Sequence, residues 1–554
     1  MAYPSLQWAH TTKARRIFLG VYAPGRVGEH RENLAAERNL PTGGPRNAAD
    51  RRVSFWSRKT IEMCAAEAYG EAGPHLRRSL GVMGLTAFGV GCTVGAGIFS
   101  LTGDVAAHQA GPAVSLAFVL SSIACFFAGL CYAEFAAMVP ISGSAYSYSF
   151  VTLGEGVAWI IGWSLVLEWL FSASVVAISW SGYASSALRD LGFPLPAVLT
   201  HTPFAISASG HWTLSGAWID MPAVLVVIAC TALALAGTRT SAAVNTVIVM
   251  AKVIALVLII AIGAKYVHPE NWQPFIPHNA GGFGRFGWSG IARAAGTLFF
   301  AYIGFDGVST LAEEARDPQR TLPWSLFASL LICTVLYVSV SIVVTGLAHY
   351  QSLGVADPLY FALSRAGVSL GYLRGLVAVV AIAGLLSVVL ASIVGQVRIF
   401  YSMARDGLLP PAFGRLSRSG GIPFLSTIIT GIAATVMAGL LPLELLGELI
   451  SIGTLLAFAM VCTGVVILRR IAPDARRPFR TPWVPVIPAL GFLSCVALML
   501  SLPAGTWIRL AVWTALGLAI YALYGRRHSR LSAAVPPHKT AESERTPHRS
   551  SLPP

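Results

Sequence analysis

GLTAFGVGCTVGAGIFSLTG, residues 84–103, is apolar enough to enter a bilayer, yet it carries Gly84, Gly89, Gly91, Gly95, Gly97 and Gly103. Each glycine lowers helix stability by about 1 kcal/mol relative to alanine. Glycine clustered at membrane depth has two readings. It lets neighbouring helices approach closely, or it marks an unwound segment that lines a polar cavity. A second stretch, GTLFFAYIGFDGVSTLAEE at residues 296–314, sets Gly304 and Gly307 around Asp306.

The rest of the chain supplies the setting. Of its 554 residues 55% are hydrophobic and only 12% charged, too little polar surface for a soluble protein of this size. Apolar runs of about 20 residues recur, the length a membrane-spanning helix requires. They are continuous rather than alternating, which argues against a β-barrel. Twelve spans are expected, at about 81–102, 113–139, 155–186, 219–237, 243–264, 289–311, 324–348, 373–403, 424–441, 446–470, 484–502 and 507–524. The third is long enough to be tilted. The two glycine-broken spans are thus the first and the sixth. That spacing fits an inverted repeat of five plus five helices with corresponding breaks, and favours unwinding over plain packing.

Residues 1–53 are basic and mixed, without an apolar run of signal-peptide type, and are expected to form a disordered extension. A juxtamembrane segment, 54–80, is expected to hold a short surface helix. The membrane domain is expected over 81–528, with a disordered tail from 529 to 554. Arginines concentrate in the tails and in alternate loops. The loops on one side carry Arg239, Arg316, Arg320, Arg405, Arg415, Arg418, Arg469, Arg470, Arg476, Arg477 and Arg480; the other side has Arg189, Lys265, Arg285, Arg365 and Arg374. The asymmetry places both termini in the cytoplasm, and accounts for the net charge of +14 without nucleic acid. The eight cysteines show no CxxC pair and the 12 histidines no ligand spacing, so no metal is expected.

An unwound first span has a chemical use. A half-helix starting near Gly97 presents N–H groups and a positive dipole end, a receptor for a carboxylate. The break in the sixth span frees carbonyls around Phe300 to Ile303, which accept from an ammonium. One site offering both fits a free amino acid. The glycines of GVGCTVG do not make a nucleotide loop, which needs a preceding strand.

In NTVIVMAKVIALVLIIAIG, residues 245–263, the one charge is Lys252. It is one of five lysines; Lys13, Lys59, Lys265 and Lys539 fall in tails or a loop. Lys252 lies roughly 14 Å into its helix at 1.5 Å per residue, where a charge costs at least ~2.5 kcal/mol. Three readings compete. Its ammonium tethers loose carbonyls of the first span, carries a proton that it gains and loses, or pairs with Asp306 or Glu168. Asp306 either caps the half-helix that follows it or serves as a second proton site.

GVGCTVGAGIFSLTG, FFAYIGFDGVSTLAEEARDPQRTLP, YSMARDGLLP and FRTPWVPVIPALG resemble amino acid permeases, and together are similar to the cationic amino acid transporter family of the amino acid–polyamine–organocation superfamily. The resemblance covers about 54–528. It implies an all-α integral membrane fold of 12 helices, a five-plus-five inverted repeat (about 81–264 and 289–470) with helices 1 and 6 broken, and two further helices at about 484–524. It implies a secondary transporter of L-amino acids working by alternating access in the cell membrane. By motif position, the backbone of Ala96, Gly97 and Ile98 would hold the carboxylate, and carbonyls of Phe300, Ala301 and Ile303 the ammonium, with the Phe300 ring as gate. Many relatives carry a hydroxyl residue where this chain has Ala96, so a side-chain contact to the carboxylate is lost. Ser392 would lie beside the substrate side chain and leave room for a large one. Glu168, in LVLEWLF, would greet a cationic side chain or serve as a structural acid. The family places Lys252 where sodium-coupled relatives of the fold bind sodium, so proton coupling is favoured, with Asp306 as a second candidate.

No cofactor is expected beyond protons as the coupling ion. The expected partners are an L-amino acid, the lipid bilayer and an unidentified small membrane protein. An enzyme would need a nucleophile with its base or clustered ligands, and neither appears in the spans; no P-loop is present, which argues against a primary pump. An exchanger using the same site, and a transporter-like amino acid sensor, remain as alternatives.

Overall fold

The computed structural model describes residues 54–60, 63, 80–138, 143–206, 212–237, 242–366, 371–417 and 422–531. Among these, seven helices are long and apolar enough to cross a membrane, and four shorter apolar helices accompany them. The expected extension 1–53, most of the expected surface helix, and the tail beyond 531 lie outside the described residues.

The glycine-rich first span is divided. Helix α1, Val82–Thr93, ends at Val94, whose ψ of 87° leaves the helical region. A helical run resumes at Gly97 with a wide π-turn, Gly97–Leu101, and continues to Ala110. Beyond the turn at Gly111 come α2, Val114–Met138, the short α3, Ser144–Thr152, and α4, Glu155–Asp190. At 36 residues, α4 is about 54 Å long, well beyond a hydrocarbon core of about 30 Å, so it tilts within the bilayer or projects past it. It is also the most buried of the seven long helices.

Helix α5, Met221–Leu235, is capped by Asp220, which accepts from the Ala223 N–H. Helix α6, Ala242–Gly263, carries Lys252. The sixth expected span is also divided. Helix α7, Gly287–Leu298, tightens into a 3₁₀ turn, Phe299–Tyr302, and Ile303 turns extended. Gly304 follows at φ +114°. A side chain there would be strained and would press on the backbone of Cys92, which explains the glycine. The chain then re-enters a 3₁₀ helix, Asp306–Glu314. The remaining long elements are α8, Pro318–Leu347; α9, Pro358–Arg365; α10, Gly371–Arg405; α11, Phe424–Leu440; α12, Leu443–Ile471; α13, Val486–Ser501; and α14, Ala504–Ile520. Helices α10 and α12 pack most extensively on α4, which makes α4 the axis of the bundle.

Three expectations need correction. The fold is not wholly helical: strands β1, Phe204–Ile206, and β2, Trp212–Leu214, pair antiparallel in the loop between α4 and α5, with Phe204 and Trp212 in edge-to-face contact. Residues 54–60 form a turn and extended chain, Met63 is helical, and the rest of the expected surface helix lies outside the described residues. Lys59, expected in a polar tail, departs from that reading. It is buried, because its ammonium meets a buried carboxylate, Asp406. Ser529 and Leu531, expected in the tail, are also buried.

Candidate substrate site

The two breaks lie against each other. A Cβ on Gly97 would fall on Ala301, so only glycine lets the backbones meet here. Beside this contact is a small cavity of two adjoining chambers. They share the lining residues Cys92, Ser172, Ile303 and Val388. The smaller chamber runs along the first break, past Gly95, Ala96 and Gly97, and is faced by Phe300. The larger extends to Glu168, Trp169, Ala391 and Ser392.

The chambers differ in chemistry because different elements build them. Backbone forms much of the smaller one. A helix start leaves its leading N–H groups without partners in the helix, and the run from Gly97 starts at this wall. Opposite, the Phe300 carbonyl accepts from the Ile303 N–H at 3.1 Å and keeps a second lone pair. Side chains of α4 and α10 form the larger chamber. Ser392 and Ser172 hydroxyls approach to 3.4 Å. Glu168 is fully buried; its Oε2 accepts from Thr454 at 3.0 Å, while its Oε1 has no hydrogen-bond partner. A buried carboxylate oxygen left this way costs free energy unless a donor arrives.

Lys252 is fully buried. Its Nζ donates to the carbonyls of Gly91 at 2.9 Å and Val94 at 3.1 Å, the oxygens that the end of α1 leaves over. It does not reach the other two candidates. Asp306 accepts from the Gly304 N–H at 3.2 Å and faces the Ser144 hydroxyl at 3.5 Å. Gly384 on α10 makes room for the lysine stem, since a Cβ there would lie 2.6 Å from its Cε.

Polar contacts join the elements that carry the two chambers to their neighbours. Ser100 donates to the Ala356 carbonyl at 2.7 Å, Tyr183 to the Phe99 carbonyl at 2.7 Å, Arg374 pairs with Asp190 at 2.7 Å, and Lys59 pairs with Asp406 at 2.6 Å.

Residues 80–523 match the sequence family described as amino acid permease. The chain belongs to the amino acid permease family. The permease is 41% identical, over 86% of its length and 99% of the relative's, to the methylthioribose transporter of Bacillus subtilis (strain 168). It is 41% identical over 86% and 99% to the branched-chain amino acid permease BcaP of the same organism. It is 30% identical over 84% and 94% to the vacuolar cationic amino acid transporter 4 of Arabidopsis thaliana. These relatives are carriers, and the permease is a multi-pass membrane transporter in the amino acid transport family rather than an enzyme.

Of the residues singled out from the sequence, Ala96, Gly97, Phe300, Ile303, Ser392 and Glu168 line the cavity of the permease. Ile98 and Ala301 are buried behind it. Lys252 and Asp306 stand at the edges of the first and second breaks. Cys92, Trp169, Ser172 and Val388 also line it and were not foreseen. A helical signal existed for two of them: Ser172 lies four residues after Glu168, and Val388 four residues before Ser392.

Proposed function

We propose that the permease takes up L-amino acids across the cytoplasmic membrane by proton-coupled alternating access, with both termini in the cytoplasm. Its layout is the five-plus-five inverted repeat with two added helices. The backbone of Ala96, Gly97 and Ile98 receives the carboxylate, carbonyls of Phe300, Ala301 and Ile303 the ammonium, and the Phe300 ring gates the site. Lys252 is the coupling residue and Asp306 a second proton site.

The observation that carries this reading is the placement of Lys252. Its ammonium holds two carbonyls of the first break, so its protonation is tied to the shape of the wall that binds substrate. A neutral amine offers fewer donors and no charge to those carbonyls, and the break relaxes.

The larger chamber bears on substrate class. Glu168 Oε1 has no partner, and Ser172 and Ser392 add hydroxyls. A side chain that donates satisfies this wall better than a purely aliphatic one, which favours cationic and polar amino acids. The relatives named for methylthioribose, branched-chain and cationic substrates set the range to test. A thermal-shift screen of purified protein against all amino acids and methylthioribose, followed by uptake of the hits with and without a pH gradient, tests the proposal. Stabilisation and gradient-dependent uptake of an amino acid are expected. Stabilisation by methylthioribose alone would overturn the substrate class, and binding without uptake would indicate a sensor.

A further inference from the structure

Asp406 directly follows α10, at the face that bears both described chain ends, and both oxygens of its carboxylate are taken. Oδ1 accepts from Lys59 at 2.6 Å and Oδ2 from the Tyr146 hydroxyl at 2.5 Å. Lys59 and Asp406 are 8% and 6% exposed, so this ion pair is dry. Lys59 also lies over the Phe150 ring at 5.2 Å.

The N-terminal segment is strapped on by its backbone. Ser57 and Phe55 carbonyls accept from the N–H groups of Glu155 and Gly156 at 2.8 and 2.9 Å. Gly154, at φ +98°, leaves space for the Trp56 backbone, which would be 2.8 Å from a Cβ there. The C-terminal segment comes to the same place. The Arg530 N–H donates to the Asp406 carbonyl at 3.1 Å. Ser529 hydrogen-bonds Glu155, and Tyr521 donates to the other oxygen of Glu155 at 3.0 Å.

We propose that Asp406 is the catch of a latch: residues 54–59 and 529–531 close on it together, and the substrate site opens to that face only when Lys59 leaves Asp406. The latch grips the helices that form the cavity wall. Asp406 follows α10, which carries Ser392, and Glu155 begins α4, which carries Glu168. Fourteen and 13 residues separate each pair, a lever of about 20 Å at 1.5 Å per residue. Helix α3, which supplies Tyr146, also brings Ser144 to Asp306 at the second break. Freeing one end of a dry ion pair leaves the other charge unpaired, so the closed state is held strongly until water enters. The inference rests on the alternating-access reading.

The test is side-specific labelling of Cys92, which lines both chambers. The full chain, with its other seven cysteines replaced by alanine, is reconstituted in vesicles that expose a C-terminal tag. A membrane-impermeant methanethiosulfonate is added outside. Lys59→Met is expected to raise the initial labelling rate about threefold or more, with no rise in vesicles of the opposite orientation. Tyr146→Phe, which removes one hydroxyl, carries the same test if Lys59→Met does not melt as a folded protein. An unchanged rate, or an equal rise from both faces, would overturn the latch. The readout needs no transport, so failure of the latch and failure of the uptake reading are distinguishable.

Discussion

The ammonium of Lys252 lies 2.9 Å from the carbonyl oxygen of Gly91. One residue on α6 thus closes the open end of α1, where helix geometry leaves the final carbonyls without partners. The charge looks costly in sequence because its neighbours are apolar. In the fold it occupies a polar niche created by the break, and break and lysine stabilise each other.

The contact between the two breaks should tolerate no added atom. Gly97→Ala drives a methyl into Ala301, and overpacking of this kind costs about 1–3 kcal/mol, enough to lower uptake about tenfold or more. Initial uptake rates, normalised to membrane expression, check this. Unaltered uptake would mean that the two breaks do not hold the site.

Glu168→Gln removes the charge of the unpartnered Oε1 while keeping the side chain's size. Competition by arginine and lysine against labelled alanine uptake should weaken about tenfold, with alanine uptake itself retained, because a charge-assisted bond is replaced by a neutral one. Loss of all uptake would instead assign Glu168 to the structure of the bundle through Thr454. Absence of inhibition by either cation in the parent protein, at high excess, would remove the cationic reading.

Ser392→Met fills the larger chamber from α10. Uptake of large substrates should fall about tenfold, while that of alanine changes by less than about threefold, since only the former need the volume. Uptake of alanine and arginine in the same membranes measures the ratio. A parallel fall in both would place Ser392 outside the side-chain subsite.

The sequence pattern and the structure agree where a rule of polymer physics is broken visibly. Six glycines in 20 residues, and glycines on both sides of Asp306, announce helices that cannot be continuous, and both spans are divided. Lys252 announces itself by charge alone. The parts that did not show are made of ordinary residue types. Cys92 and Trp169 are ordinary buried types, and only their position on the cavity side of α1 and α4 gives them a different place. Lys59 read as a tail residue because its neighbours are polar. Its burial depends on Asp406, 347 positions away, a contact that no local pattern encodes. The β1–β2 hairpin was missed for a similar reason: three-residue strands carry too little alternation to register.

Lys252→Met tests the coupling mechanism most directly. In liposomes with an inward proton gradient, the parent protein should accumulate its amino acid, and the accumulation should vanish when the gradient is collapsed. Lys252→Met should still be stabilised by that amino acid in a melting assay but should not accumulate it. Full gradient-driven accumulation by Lys252→Met would contradict the coupling role and leave the lysine a fixed tether of the first break.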